Sequence, residues 1–155
     1  MSLGELIDTQ RYPLENSDNA TYKKAVATAR LSLAAEGCAV LKRFIRDHTL
    51  RLMSEEIIDR KAATHFSEDS INPYFHTQDT AAYPARHPMN TFLERSSGFI
   101  PGDACESGTI NHTLFEHPAV GRFLADCLGL CALYPYSDPL AGLTSNIQEP
   151  GQQFT

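Results

Sequence analysis

Apolar residues recur at helical spacing in three stretches of the chain, and between them the period shortens or disappears. Tyr22, Val26, Ala29 and Leu33 lie about one turn apart, predicting a first helix capped by Asp18 or Asn19. Gly37, after Glu36, is the expected left-handed residue that closes it. The pattern then changes to CAVLKRFI, Cys38 to Ile45, whose apolar, β-branched character predicts a short strand. A second helix is expected from an N-cap at Asp47 to about Ala63. Leu50, Met53, Ile57 and Lys61 would form its inner stripe, and Arg51, Glu55, Asp59 and Arg60 its wet face. In the third helix, Pro118 suits the first position after His117. Val120, Phe123, Leu124, Cys127 and Leu128 then follow at i, i+3, i+4, i+7 and i+8, and Gly129 closes the helix.

The remaining stretches read differently. Residues 67–108 carry four prolines, several Gly, Ser and Asp, and the aromatics Tyr74, Phe75, Tyr83, Phe92 and Phe99. A loop this long is functional or disordered, and its aromatics argue against disorder. It is read as a long, partly ordered covering segment, with room for a short helix or strand at Met89 to Glu94. After the third helix, Ala132 to Tyr136 predicts a weak strand, Ser137-Asp138-Pro139 a turn, and Leu140 to Gln148 a further strand. Period-two alternation along that strand sends Thr144, Asn146 and Gln148 to one side, and Leu143, Ser145 and Ile147 to the other. The fold class expected is α+β, in one domain over 1–155.

Composition narrows the function. A net charge of -6 argues against nucleic acid as the main partner. No apolar run reaches the roughly 18 residues of a membrane span. The opening MSLGELIDTQRYPLEN has no apolar signal region, so cytoplasm is the expected compartment. Cys38, Cys105, Cys127 and Cys131 match no zinc spacing and are read as reduced, partly buried thiols. The histidines His48, His65, His76, His87, His112 and His117 include no His-x-Asp or His-x-Glu pair. His87 and His117, each before a proline, read as loop and cap residues. No G-x-S-x-G, P-loop or dinucleotide glycine pattern occurs. No catalytic residue and no metal ligand is therefore assigned.

The order of segments carries more. LSLAAEGCAVLKRFIRDHTLRLMSEEIID resembles the opening of the phytanoyl-CoA-hydroxylase-like branch of the iron(II)/2-oxoglutarate-dependent oxygenases. INHTLFEHPAVGRFLADCLGL is similar to that family's His-Pro loop and the helix that follows it. LTSNIQEPGQQFT resembles the strand and Pro-Gly turn preceding the family's iron-binding motif. Small-amino-acid hydroxylases and halogenases of this superfamily are the nearest in character.

The resemblance implies the N-terminal helices and first strands of a double-stranded β-helix, or jelly roll, cut before its metal ligands. It implies Fe(II) and 2-oxoglutarate as cofactors of the complete enzyme, neither bound tightly by this chain, and hydroxylation or halogenation of a small-molecule substrate. It places Asn146 and Gln148 against 2-oxoglutarate. Arg86 and Arg95 become candidates for an anionic group of the substrate, because a guanidinium matches a carboxylate bidentately. Self-association through an exposed sheet edge is a further expectation. The rival reading is a small non-catalytic interaction module that binds a partner through the aromatic-rich segment 67–108.

Overall fold

A computed structural model describes residues 1–105, 108–138 and 142–152. Among them are five α-helices and one three-stranded antiparallel sheet, a mixed α+β architecture. The helices are α1 (Leu3–Leu6), α2 (Ala20–Glu36), α3 (Asp47–Asp59), α4 (Ile110–Phe115) and α5 (Pro118–Leu128). The strands are β1 (His65–Ile71), β2 (Leu93–Ile100) and β3 (Ser145–Ile147), in the order β1-β2-β3.

Local signals fix the ends of two helices. Asn19 caps α2 by accepting from the Thr21 N–H at 2.7 Å, and Gly37 ends it at φ 68°. His117 caps α5 through Nδ1, and Gly129 closes it at φ 73°. Tyr22 and Ala29 of α2 and Val120, Phe123 and Cys127 of α5 meet in the core, while Leu124 and Leu128 stay on the surface. Phe123 is wholly enclosed, with the rings of Tyr22, Tyr12 and Phe44 at 5.4, 6.1 and 6.2 Å.

That core has a component the periodicity does not reveal. Leu3, Leu6, Ile7, Tyr12 and Leu14 are all buried in it, although of these only Leu3 and Leu6 lie in a helix, the four-residue α1. Tyr12 donates its hydroxyl to the Lys42 carbonyl at 3.0 Å, and Thr49 Oγ1 donates to the Glu5 carbonyl at 2.9 Å. These bonds tie the irregular start of the chain to the residues before α3 and to α3 itself.

Several expectations are corrected. Cys38 to Ile45 forms no strand beyond a single antiparallel bridge between Ile7 and Ile45. Its inward residues are Ala39, Leu41, Phe44 and Ile45, and Arg43 turns left-handed at φ 57°, which breaks a period of two. Helix α3 is capped by Arg46 and stops at Asp59, followed by a 3-10 turn at Lys61–Ala63. Its inner face runs through Thr49, Leu52, Met53, Glu56, Ile57 and Arg60, whereas Leu50 and Lys61 are exposed. The stripe is thus turned by about one residue, because α3 packs through polar contacts to Glu5 and α4 as well as through apolar ones. Ala132 to Tyr136 forms no strand, and the strand expected over Leu140 to Gln148 is reduced to β3, with Leu140 and Ala141 outside the described residues.

The segment 67–108 also differs from a loop. It holds most of β1 and all of β2, paired from His65↔Phe99 to Ile71↔Leu93. Phe66 lies over β2 at Gly98, where a Cβ would come within 2.6 Å of its ring. Between the strands, residues 72–92 form an ordered excursion knit by two asparagines. Buried Asn72 donates to the Met89 carbonyl and accepts from the Tyr74 and His76 N–H groups. Asn90 bonds both the N–H and the carbonyl of Thr80 and reaches the Tyr83 carbonyl. His87, stacked on Tyr83 at 4.3 Å, caps the turn at Pro88–Asn90.

Candidate functional site

Strand register decides which candidate side chains share a surface. Asn146 lies opposite Phe99, and Arg95 is four residues from Phe99 on β2, so both project from the same face. Along that face the cross-strand rows are Ile71/Leu93, Asp69/Arg95, Ser67/Ser97 and His65/Phe99/Asn146. His65 stacks on Phe99 at 5.6 Å. Asn146 and Arg95 stand roughly 14 Å apart along the strands, at about 3.4 Å per residue.

The other two candidates are placed differently. Gln148 lies just past β3, where its Nε2 donates to the Gln152 carbonyl at 2.9 Å. The Glu149 N–H donates to Gln152 Oε1 at 2.8 Å, so Gln148 and Gln152 together hold the Pro150-Gly151 turn. That turn is tethered to the helical part by Lys61, whose Nζ is 2.6 Å from Glu149 Oε1. Arg86 is exposed in the 72–92 excursion, off the sheet. Thr144, Asn146 and Gln148 are all exposed, while Leu143, Ser145 and Ile147 are partly covered, in keeping with the alternation.

One hollow lies away from these candidates. An open trough of about 900 Å³ is lined by Ser70, Thr77, Asp79, Tyr83, Asn90 and Phe92 among others, and none of the four candidates lines it. Its polar wall comes largely from the excursion, and its Thr80 and Asn90 are already bonded to each other.

No group of three His, Cys, Asp or Glu among the described residues is placed to hold a metal ion. All four cysteines are unpaired, Cys38 and Cys131 exposed and Cys105 and Cys127 buried. Burial pushes the Cys105 and Cys127 thiols above their ordinary range, opposite to what an activated nucleophile needs. Burial, and then a hydrogen bond to Asp126, also holds the Tyr22 phenol well up.

A cluster of interactions that sequence reading missed lies where α3 meets α4. The Glu56 carboxylate accepts from the Ile110 N–H at 2.7 Å, the Asn111 N–H at 3.1 Å and Asn111 Nδ2 at 2.9 Å. One turn on, Arg60 Nε donates to the Ala104 carbonyl at 2.9 Å. These contacts join the helical part to the chain leaving β2, and Glu56 stands beside Glu55 with nothing in their types to separate them.

The sheet itself is thinly covered. The apolar core is drawn from the helices and the segments around them, and no strand residue belongs to it. Of the sheet, only Ser97, Gly98 and Ile100 are buried, while Phe66, Leu93 and Phe99 are 51%, 51% and 42% exposed. The accessible surface is 10663 Å², against about 7,800 Å² for a compact monomer of this mass. No helix among the described residues is long and apolar enough to cross a membrane. No family model, no curated protein and no solved structure matches this chain.

Proposed function

We propose that this chain is the N-terminal portion of a non-haem iron(II)/2-oxoglutarate-dependent oxygenase acting on a small molecule. The observation that carries the reading is the three-stranded antiparallel sheet, which brings Asn146 and Arg95 to one face. Three strands without a packed layer are marginal in water, and a jelly roll supplies that layer as a second sheet.

Among the described residues no group of three His, Cys, Asp or Glu is placed to hold iron. The chain's own contribution is binding. The exposed Asn146 amide offers its NH₂ group as a donor to a carboxylate of 2-oxoglutarate, and Gln148, one N–H of which is bonded to the Gln152 carbonyl, offers the other. Arg95, across the ladder from Asp69, and the exposed Arg86 supply the cations for an anionic substrate.

The gene tests this first. The reading frame past the Thr155 codon should encode His-x-Asp or His-x-Gly within a few codons, and its absence in every frame removes the main support. The product of the longer frame should then decarboxylate 2-oxoglutarate only when supplied with Fe(II). In it, Asn146→Ala should raise KM for 2-oxoglutarate about tenfold, the loss of one hydrogen bond to a charged group.

One observation favours an interaction module instead. Tyr74, Phe75 and Tyr83 are 55%, 75% and 46% exposed although the excursion carrying them is ordered by Asn72 and Asn90. Aromatic side chains presented on a preorganised loop suit a protein partner. Triple substitution of these residues by Ser should abolish partner capture under that reading and leave 2-oxoglutarate turnover intact under the first.

A further inference from the structure

The outer edge of β1 is seven residues long and sits at the end of the sheet. Every residue from His65 to Ser70 is exposed, so no element among the described residues covers it. A strand edge of this kind carries a row of unsatisfied N–H and C=O groups and pairs readily with another strand. What pairs with it is read from the side chains along it.

We infer that two copies of this chain associate through their β1 edges, antiparallel, with Ser67 of each copy on the two-fold axis. In that register Thr64 faces Ser70 of the second copy, His65 faces its Asp69, Phe66 faces its Glu68, and Ser67 faces its Ser67. Hydroxyl pairs of this type and the His–Asp pair favour the alignment, and no like charges stand opposite one another. Moving the axis to Glu68 sets two Glu68 carboxylates face to face, which is unfavourable. The acidic pair Glu68-Asp69 thus selects one register over its neighbour. Joining the edges gives a continuous six-stranded sheet, within the common size range. This inference concerns the chain as it stands and is independent of the oxygenase reading.

The test is sedimentation of the chain from micromolar to hundred-micromolar concentration, where a monomer–dimer equilibrium is expected. Ser67→Glu, which sets two carboxylates on the axis, should weaken the dimer about tenfold while far-UV circular dichroism stays unchanged. As a second probe, Cys38 and Cys131 are replaced by Ser, and a cysteine is placed at Ser67 or at Ser70. Ser67→Cys should form a disulfide-linked dimer under mild oxidation, and Ser70→Cys, offset from the axis, should not. A monomer at every concentration overturns the inference and leaves the edge to a strand of a longer chain or of a foreign partner. Equal cross-linking of the two cysteines, or a dimer indifferent to Ser67→Glu, also overturns it.

Discussion

Replacing Glu56 by Ala removes the acceptor of three hydrogen bonds at once, from Ile110 N–H, Asn111 N–H and Asn111 Nδ2. Two of these N–H groups belong to the first turn of α4, where no intrahelical acceptor exists. Losing a side-chain cap costs about 1 kcal/mol, and a carboxylate beside a helix N-terminus adds roughly 0.3–1 kcal/mol. The Asn111 side chain loses a bond of comparable worth, although it keeps its contact to the Met53 carbonyl. The site is only partly buried, so water replaces some of the loss, and the net cost is roughly 2–3 kcal/mol. For a domain of this size that lowers Tm by about 4–12 °C. Glu56→Gln, which keeps one oxygen but sets an NH₂ against backbone donors, should fall between. Glu55→Ala is the control, because Glu55 is exposed and bonded to nothing described, and should stay within about 0.5 kcal/mol of the parent. Thermal and urea unfolding followed by circular dichroism measure all three. Equal effects for Glu55→Ala and Glu56→Ala would refute the assignment of Glu56 as the brace between α3 and α4.

Phe123→Ala should cost about 3–5 kcal/mol in urea unfolding, since the ring is fully enclosed by aromatic neighbours, and Phe123→Leu should cost much less. An aromatic-thiol reagent should label Cys38 and Cys131 at once, and Cys105 and Cys127 only after unfolding, as a time course of thiol release will show. Tyr12, Tyr22, Cys105 and Cys127 all have their proton affinity raised by burial. A raised value means the folded state resists deprotonation, so their contribution is intact below ordinary values of 9.0 for Cys and 10.0 for Tyr. It is lost as pH climbs beyond them. Tm should therefore fall from about pH 9 upward, and Tyr22→Phe, which removes the most strongly shifted group, should make that fall shallower.

What was legible in the sequence is what local chemistry decides. The Asn19 cap, the glycines at 37 and 129 and the His117-Pro118 start of α5 each need only their neighbours, and each is found as read. The alternation that sends Thr144, Asn146 and Gln148 outward is equally local, and exposure follows it. Strand β1 was hidden because HFSEDSI meets water on both faces, and β2 because its buried residues are Ser97, Gly98 and Ile100, two of them not apolar side chains, leaving no apolar period to detect. Cys38 to Ile45 misled for the opposite reason. Its apolar residues serve the core from an irregular path, so composition suggests a strand that geometry does not form. Helix α4 has six residues and owes its start to Thr109 and Glu56, the latter more than fifty positions away. That Arg95 and Asn146 share a face follows only once β2 is paired with β3.

The separation of the apolar core from the sheet has a kinetic consequence. With the core gathered among the helices, the amides of α2 and α5 can exchange with solvent deuterium only when the whole helical assembly opens. The β1 amides and those of β2 before Ser97 need no such event, because peeling that part of the hairpin exposes little apolar surface. Deuterium uptake should accordingly separate into two tiers of opening free energy, the hairpin low and the helices near the global value. A partner laid over the sheet would merge the tiers, so protection of the hairpin amides reports whether that face has found its cover.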